Sequence, residues 1–307
     1  MAEPKTGEAP RHCGFAALVG APNAGKSTLL NALVGAKVSI VTPKVQTTRT
    51  RVTGIVVEGA TQIVFVDTPG IFTKTKRRLE RAMVASAWAG AADADQVVVV
   101  VDGTRKGIGD DTRRILDGLR EAGRKAILAL NKVDLIRRPE LLPRAAQLNQ
   151  AFPFTATFMI SARTGDGVAD LRRHLAGLMP EGPWLFAEDD LSDISERLLA
   201  AEVTREQLFL NLHDELPYDL SVETESWKEF KNGSIKIQQV VYVRRDSQKS
   251  IVLGKGGKTA KAIGEAARKA LEAQLGRPVH LFLFVKVREA WPDDPERFKA
   301  IGLDWVE

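Results

Sequence analysis

The chain of 307 residues has few of the side chains that build covalent or metal-bound frameworks. Cys13 is its one cysteine and only four histidines are present, so neither an intramolecular disulfide nor a zinc-like cluster is expected. No apolar run approaches the roughly 20 residues needed to span a bilayer. The first twelve residues are polar and lack the apolar core of a signal peptide. These absences predict a protein of a reducing cytosol, with residues 1–12 as a flexible tail.

Charge is concentrated in one part of the chain. The formal net charge is +5, but residues 244–288 hold 11 Lys and Arg against 3 Asp and Glu. The flanking residues 181–243 hold 5 against 14, and residues 289–307 hold 2 against 6. A localised basic block can neutralise the phosphates of a nucleic acid, or it can be a solvated charged face. A motif within the block has to decide between the two.

Up to about residue 180, short apolar runs alternate with longer helical patterns. The runs are apolar on both faces, which is typical of strands in a buried parallel sheet. They are residues 15–19, 63–66, 97–101, 126–130 and 157–160, with the more polar residues 51–58 as an edge strand and helices at 26–34, 75–91, 110–121, 139–151 and 168–178. The repeated βαβ order predicts an α/β domain over residues 13–180, with a doubly wound, mostly parallel sheet.

The element order changes after a Pro- and Gly-containing break at residues 179–183. An acidic linker is predicted for residues 181–192, followed by a smaller α+β domain over 193–290 and a tail over 291–307. The predicted elements are a helix at 193–212, strands at 221–230 and 234–244, a helix at 258–275 and a last strand at 279–288.

Residues 20–27 read Gly-Ala-Pro-Asn-Ala-Gly-Lys-Ser between a strand and a helix. The glycines let successive N–H groups converge on phosphate oxygens, and the helix N-terminus adds its positive end. In such a phosphate loop Lys26 supplies charge to the β- and γ-phosphates, and the Ser27 hydroxyl is a ligand for Mg²⁺. Thr28 is expected to steady the start of the helix. The alternative is a Gly-rich turn that merely caps the helix.

A second signature, Asp-Thr-Pro-Gly at residues 67–70, follows the next buried strand. There Asp67 can hold Mg²⁺ through water, and the Gly70 N–H can sense the γ-phosphate. Between the two signatures, a threonine of the polar segment 43–51 must reach Mg²⁺ if GTP orders this loop. Thr48 is the first choice and Thr47 the second, although both could simply favour the start of the next strand.

Two further signatures read the base. In Asn-Lys-Val-Asp at residues 131–134, the Asp134 carboxylate can accept the N1–H and N2–H of guanine, whereas adenine has no donor there. Buried bonds of this kind discriminate by roughly 10⁴-fold. Asn131 is expected to bond the base and to hold the phosphate loop, and the Lys132 stem to pack over the base. Ser161 then holds a turn in which the Ala162 N–H meets guanine O6.

The four signatures together predict a GTP site. Its nucleotide-binding residues are Ala21, Pro22, Asn23, Ala24, Gly25, Lys26, Ser27, Thr28, Asp67, Thr68, Pro69, Gly70, Asn131, Lys132, Asp134, Ser161 and Ala162. The predicted catalytic residues are Lys26, Thr48, Asp67 and Gly70, and the predicted metal ligands are Ser27, Thr48 and Asp67.

Ile71 occupies the place where Ras-like enzymes have a glutamine, and an aliphatic side chain cannot orient water. Intrinsic turnover should therefore be slow. Asn23 could hold a monovalent cation such as K⁺ beside the phosphates, or it could stabilise the loop.

In the basic block, Gly-Lys-Gly-Gly at residues 254–257 is expected to lie between a strand and a helix, within an α-β-β-α-α-β order. That order and that turn are those of a type II KH domain, in which the glycines let a nucleic-acid backbone approach closely. The predicted RNA-binding residues are Arg244, Arg245, Gly254, Lys255, Gly256, Gly257, Lys258 and Lys261.

A GTPase domain joined to a KH domain resembles the Era family of bacterial ribosome-assembly GTPases over essentially the whole chain. Specific strings of this resemblance are Gln46-Thr47-Thr48-Arg49, Leu216-Pro217-Tyr218, Pro278-Val279-His280-Leu281, Val285-Lys286-Val287 and Trp291. The resemblance implies binding of 16S rRNA near its 3′ end and action in maturation of the 30S ribosomal subunit. It also implies cytoplasmic residence with peripheral association with the inner membrane, and a monomer is expected.

Two other functions are compatible with these motifs. One is a GTPase accessory to an RNA-modifying or transport enzyme, against which the KH-like second half argues. The other is an RNA-binding protein whose nucleotide site is only structural, which the presence of Lys26, Ser27 and Asp67 opposes. A turnover assay distinguishes the last of these from a GTPase.

Overall fold

The structure, a computed structural model, describes residues 10–44, 47–49, 51–71, 78–212, 216–289 and 303, without the side chains of residues 217 and 218. Contacts group the described residues into two compact units. The first unit draws on Met1–Ser39, Thr48–Lys76 and Met83–Asp193, and the second on Ile40–Thr47, Arg77–Ala82 and Ile194–Glu307. Among the described helices, none is long and apolar enough to cross a membrane.

The first unit contains a six-stranded sheet in the order β2-β3-β1-β4-β5-β6. Its strands are β1 His12–Val19, β2 Val52–Glu58, β3 Thr61–Asp67, β4 Gln96–Asp102, β5 Ile127–Asn131 and β6 Thr157–Met159. Strand β2 runs antiparallel to β3 at one edge, and the other neighbours are parallel. The predicted mostly parallel sheet is therefore confirmed, including the edge position of the strand predicted at residues 51–58. That strand is less polar in its surroundings than expected, since residues 52–56 are buried.

Helices cover both faces of this sheet. They are α1 Lys26–Val34, α2 Arg78–Asp93, α3 Asp110–Glu121, α4 Arg138–Ala151 and α5 Val168–Ala176. Alternate residues of β1 pack into different cores: Ala16 and Leu18 lie in one cluster, and Ala17 and Val19 in another. Strands buried on both faces must be apolar throughout, which is why their runs were visible in the sequence. The predicted start of α2 at residue 75 lies outside the described residues.

The segment predicted as a linker, residues 181–192, contacts the first unit instead of standing apart from it. The N–H groups of Leu185 and Phe186 donate to Gln62 Oε1, at 2.9 and 3.1 Å. Farther along, the Ile55 N–H donates to the Leu191 carbonyl at 2.9 Å. The Ile55 bond satisfies part of the outer edge of β2, which an edge strand otherwise leaves unpaired.

The second unit has the predicted α-β-β-α-α-β order. Its elements are α6 Glu196–Asn211, β7 Ser221–Glu229, β8 Ile235–Val243, α7 Asp246–Leu253, α8 Lys258–Leu275 and β9 Val279–Val287. Strand β7 is antiparallel to β8, and β9 is parallel to it. Helix α6 begins at Glu196 and not at residue 193, because Ser195 Oγ accepts the Leu198 N–H and caps the helix there.

The contacts also place the short segment Ile40–Thr47 in the second unit, although the sequence assigned it to the first domain. Helix α6 and the residue after it hold this segment. The Val41 N–H donates to Glu206 Oε1 at 2.9 Å, Arg205 donates to the Thr47 carbonyl, and Lys44 donates to the Leu212 carbonyl. Arg205 and Glu206 are buried, with 2% and 4% exposure, so this segment covers charged groups of α6.

Candidate functional site

The phosphate loop lies between the end of β1 and the start of α1, as the sequence predicted. Gly25 has a φ of +97°, and a Cβ there would lie 2.3 Å from Asn131 Nδ2. A Cβ on Gly20 would lie 2.4 Å from the Val100 carbonyl oxygen. Glycine is therefore required at both positions, because the loop passes directly over its neighbours. Asn23 also adopts a left-handed conformation, with a φ of +62°.

Lys26 is buried at the base of this loop. Its Nζ donates to the carbonyls of Gly20 and Ala21, at 3.0 and 3.3 Å. Burial lowers the pKa of Lys26 to about 8, and the nearby Asp67 carboxylate partly offsets that effect. An anion beside the ammonium would favour its charged form, which is the role predicted for Lys26 toward a phosphate.

Asp67 Oδ2 is the point at which three hydroxyl groups converge. Ser27 Oγ donates to it at 2.7 Å, Thr48 Oγ1 at 3.1 Å and Ser39 Oγ at 3.2 Å. Burial raises the pKa of Asp67, while Lys26 and these hydroxyl groups act in the opposite direction. Asp67 Oδ1 is buried and has no hydrogen-bond partner within the described part of the chain.

This donor set fits Mg²⁺. The ion prefers oxygen ligands, commonly one or two carboxylates together with hydroxyls, waters and substrate phosphates. Ser27, Thr48 and Asp67 supply such oxygens beside the phosphate loop, and the unpaired Asp67 oxygen is available to a cation or its water. These residues would hold Mg²⁺, which neutralises charge on the phosphates when bound.

The two candidate threonines have different positions. Thr48 Oγ1 lies 2.7 Å from Ser27 Oγ, whereas Thr47 Oγ1 donates to the Lys44 carbonyl at 2.7 Å and pairs with Thr42 Oγ1. The structure thus brings Thr48, and not Thr47, to Ser27 and Asp67. Residues 45, 46 and 50 of the same loop lie outside the described residues.

The signature at residues 67–70 crosses the phosphate loop. The Ile71 N–H donates to the Gly20 carbonyl at 3.2 Å, and a Cβ on Gly70 would lie 3.1 Å from the Pro22 backbone. Thr68 Oγ1 anchors the start of this turn on the Leu18 carbonyl at 2.8 Å. Ile71 is fully buried in an apolar cluster, so its side chain can neither contact nor orient an attacking water.

The base-reading residues form one connected group. Asn131 Nδ2 donates to the Ala24 carbonyl at 2.9 Å, which ties the phosphate loop to β5 as predicted. Ser161 Oγ donates to Asp134 Oδ1 at 2.7 Å and also accepts the Thr164 N–H at 3.2 Å, so it holds the turn. The Ala162 N–H donates to Asn131 Oδ1 at 2.9 Å. A bond from Ala162 to guanine O6 would therefore compete with an existing one.

Three residues of this site were not predicted from the sequence. Asp102 accepts from Lys132 Nζ at 2.7 Å, and the same ammonium donates to the Asn23 carbonyl at 2.8 Å. Arg163 pairs with Asp134 at 3.0 Å, and Ser39 is the third hydroxyl at Asp67. Asp102 had a signal, since it ends an apolar strand at the edge where the other signatures end. Ser39 and Arg163 had none.

The Gly-Lys-Gly-Gly turn of the second unit lies between two helices, α7 and α8, and not between a strand and a helix as expected. Gly254, Gly256 and Gly257 all have positive φ, of +69°, +61° and +75°. A Cβ on Gly254 would lie 2.1 Å from Thr259 Oγ1, whereas the spaces at Gly256 and Gly257 are open. The open positions allow another backbone to approach, which is the use of glycine in this turn.

Three of the lysines predicted to bind RNA lie in the turn or in the first part of α8. Lys255, Lys258 and Lys261 are exposed along the turn and the first part of α8. The N–H groups of Arg244 and Arg245 donate to Gln248 Oε1, at 2.8 and 3.2 Å, which fixes both residues between β8 and α7.

A groove of about 420 Å³, which the sequence did not reveal, lies next to Lys261 between α8 and the edge strand β9. Its lining residues are Ala260, Lys261, Gly264, Glu265, Arg268, Leu281, Phe282 and Leu283. The lining combines apolar side chains with the cations Lys261 and Arg268 and with the carboxylate of Glu265.

Two family models match the chain. The model described as "50S ribosome-binding GTPase" matches residues 15–132, and the KH domain model matches residues 215–292. Together they cover the candidate nucleotide loops up to Lys132 and the Gly-Lys-Gly-Gly turn.

Curated relatives match over nearly their full lengths. The chain is 58% identical over 296 residues to GTPase Era of Afipia carboxidovorans, covering 96% of each chain. It is 59% identical over 299 residues to GTPase Era of Rhizobium meliloti, covering 97% of this chain and 95% of the relative.

Two solved Era structures match both units with TM-scores of 0.89 and 36% identity, covering 95% of this chain and 99% of theirs. One is a variant of Aquifex aeolicus Era bound to GDP·AlF4⁻. The other is Era in complex with MgGDPNP and nucleotides 1506–1542 of 16S ribosomal RNA.

Proposed function

The chain belongs to the Era family of GTPases, and on that premise we propose that it is a GTP-controlled switch that binds 16S ribosomal RNA near its 3′ end. The chain is an enzyme that hydrolyses GTP to GDP and phosphate. The proposal adds that RNA binding by the KH domain depends on the bound nucleotide, and that this dependence serves maturation of the 30S subunit.

The observation that carries the switch is the position of two consecutive threonines. Within the first unit, Thr48 bonds to Ser27 and Asp67, the residues suited to Mg²⁺. Within the second unit, Thr47 is held by Arg205 of α6. GTP has a γ-phosphate that can contact Mg²⁺ and the loop around it, whereas GDP has none. The two nucleotides would therefore hold Thr48 differently. Because Thr47 precedes Thr48 directly in the chain, a change in the position of Thr48 would also move Thr47 and the segment Ile40–Thr47, which covers α6.

The RNA part of the proposal rests on chemistry and on a relative. A solved Era structure holds nucleotides 1506–1542 of 16S rRNA together with MgGDPNP. The Gly-Lys-Gly-Gly turn of this chain offers open space at Gly256 and Gly257 and exposed Lys255 and Lys258, which suit a phosphate backbone. The proposed cofactor is Mg²⁺, held by the residues named above. Cytoplasmic residence, peripheral membrane association and a monomeric state stay predictions.

The RNA proposal is tested by measuring the affinity of the full chain for that rRNA segment at fixed salt, with GTP analogue bound. Lys255→Ala and Lys258→Ala should each weaken binding and lower the salt dependence, by about 0.7 in the log–log slope for each lost phosphate contact. Lys125→Ala, which removes an exposed lysine of the first unit, is the matched control and should change neither quantity. Binding that none of these variants affects would refute the assignment to the KH turn.

The role of a monovalent cation stays a prediction with its own assay. Asn23 lies in the phosphate loop with a left-handed backbone. If it helps hold K⁺ beside the phosphates, turnover in K⁺ buffer should exceed turnover in Na⁺ buffer. Equal rates would leave Asn23 as a residue that shapes the loop.

A further inference from the structure

Among the described residues of the second unit, the helices pack against one face of the sheet and leave the other face without a helix. Residues of β8 and β9 that point inward, such as Ile237 and Val279, pack with α6 and α8. The alternate residues point outward, and among them Phe282 and Phe284 are 46% and 48% exposed. Adjoining basic and aromatic groups complete a surface that we call the sheet platform: Lys228, Phe230, Lys236, His280, Phe282 and Phe284.

Two lysines face each other directly across this surface. Lys228 of β7 is the register partner of Lys236 of β8, and Lys236 is in turn the partner of His280. Like charges directly opposite on neighbouring strands are destabilising. A bound polyanion would offset that cost.

Each of these lysines also lies over an aromatic ring. Lys236 Nζ is 5.1 Å from the Phe282 ring centroid, and Lys228 Nζ is 5.5 Å from that of Phe230. The Phe230 ring meets His280 edge to face, with centroids 6.5 Å apart. Exposed rings beside cations combine the two functions that single-stranded nucleic acids require, namely stacking of bases and neutralisation of phosphates.

We propose that the sheet platform is a second binding surface for single-stranded RNA, which receives nucleotides that extend beyond those at the Gly-Lys-Gly-Gly turn. The inference rests on the proposed RNA-binding function. Phe282 lines the groove beside α8 and also belongs to the platform, so the two surfaces are continuous at β9. Sheets that display aromatic side chains stack two or three bases in other RNA-binding folds.

The distribution of carboxylates agrees with an anionic ligand at the Lys228 end of the platform. Glu225 lies toward the other end of β7, where it pairs with Lys286 at 3.0 Å and accepts from Tyr242 at 3.2 Å. Glu223 is the register partner of Val240, also away from Lys236. The RNA path that the charges favour therefore runs from Phe282 across Lys236 toward Phe230.

The test compares two RNA lengths with the full chain. A short RNA has about four nucleotides, the number that a Gly-x-x-Gly turn clamps. A longer one has on the order of ten, within the range of single-strand binding surfaces. Phe230→Ala should weaken binding of the longer RNA by about five-fold or more, the effect of losing one stacked base. It should leave the affinity for the short RNA unchanged. Lys236→Gln should weaken only the longer RNA and lower its salt dependence.

Matched variants separate this inference from the RNA-binding function itself. Lys255→Ala should weaken binding of both RNAs. Leu142→Ala, which removes an exposed apolar side chain of α4, should weaken binding of neither. If Lys255→Ala weakens both lengths while Phe230→Ala and Lys236→Gln weaken neither, the platform proposal is overturned and the RNA-binding function stands. If the wild-type chain binds neither RNA, both fail. If Phe230→Ala changes self-association in light scattering instead of RNA affinity, the platform is a contact between copies and the proposal is also overturned.

Discussion

At the scale of single residues, the site depends on side chains that each bridge two signatures. Asn131 joins the base-reading turn to the phosphate loop through the Ala24 carbonyl and the Ala162 N–H. Lys132 joins the same loop to Asp102. Because Asn131 and Lys132 each have two partners, removing either side chain should disturb the geometry at both of its contacts.

Ser27 is expected to matter through the metal and not through folding. Ser27→Ala should weaken Mg²⁺-dependent binding of GTP by at least about ten-fold, which corresponds to about 1.4 kcal/mol. Binding measured in the presence of a chelator should change little. Ser39→Ala is the matched control, since its hydroxyl also bonds Asp67 Oδ2 but lies outside the phosphate loop. Calorimetry measures the affinity of both variants for GTP with and without Mg²⁺. If Ser27→Ala and Ser39→Ala lost the same amount of Mg²⁺-dependent affinity, Ser27 would not be a specific metal ligand.

Asp134 is expected to set base specificity. Asp134→Asn should lower the affinity for GTP by up to about 10⁴-fold, because the amide places a hydrogen-bond donor opposite the guanine N2–H, which is itself a donor. The same amide matches xanthine, which has a carbonyl in place of that amine, so affinity for xanthosine triphosphate should rise. Arg163→Ala removes the ion pair with Asp134 but keeps the carboxylate, and it should leave the preference for GTP intact. Competition binding with GTP and xanthosine triphosphate measures this preference. If Asp134→Asn still preferred GTP as strongly as the wild type does, Asp134 would not set base specificity.

Asp102 is expected to contribute stability that depends on pH. Its burial raises the pKa, but hydrogen bonds from Lys132 and Thr104 outweigh that effect and hold the pKa below its ordinary value. The contribution is therefore present above the ordinary pKa of about 3.9 and is lost as pH falls through the lower folded value. Asp102→Asn should be less stable than the wild type at pH 7 by about 1 kcal/mol. Denaturant unfolding at pH 7 and at pH 3 and below should show this difference shrinking, and a constant difference would contradict it.

At the scale of elements, the strands and helices could be predicted where burial makes the sequence uniform. Five of the six strands of the first unit were visible as apolar runs, and the helix start at Lys26 followed from the phosphate loop. Contacts between distant segments could not be predicted, because polar residues carry no periodic signal. This is why the sequence did not reveal that 181–192 bonds to Gln62, that Ile40–Thr47 covers α6, or that Ser39 reaches Asp67.

The Gly-Lys-Gly-Gly turn provides a test at this scale. Gly257→Ala places a side chain in the left-handed helical conformation, with φ +75° and ψ +11°, which costs about 1–2 kcal/mol. Gly254→Ala places one at φ +69° and ψ +174°, a region that is essentially restricted to glycine. At Gly254 the new Cβ would also collide with Thr259, whereas the space at Gly257 is open. Gly254→Ala should therefore lower the stability of the second unit more than Gly257→Ala does. Thermal unfolding followed in the full chain measures this, and equal losses would contradict the described geometry.

At the scale of the whole molecule, the proposed switch depends on the chain connection between Thr48 of the first unit and Thr47 of the second. Thr48 bonds to Ser27 and Asp67, which are proposed Mg²⁺ ligands, and Thr47 belongs to the segment that Arg205, Glu206 and the Leu212 carbonyl hold. A switch requires that the two sites share a coupling free energy, and such coupling is reciprocal. If GTP favours RNA binding, RNA must favour GTP over GDP by the same factor.

The most direct test of the switch is the affinity of the full chain for nucleotides 1506–1542 of 16S rRNA at fixed salt, with GDP and with a non-hydrolysable GTP analogue. A switch predicts tighter binding with the analogue, by about 5- to 150-fold for a typical coupling of 1–3 kcal/mol. Equal affinities in the two nucleotide states would contradict it, because the chain would then contain a GTPase and an RNA-binding domain that act independently.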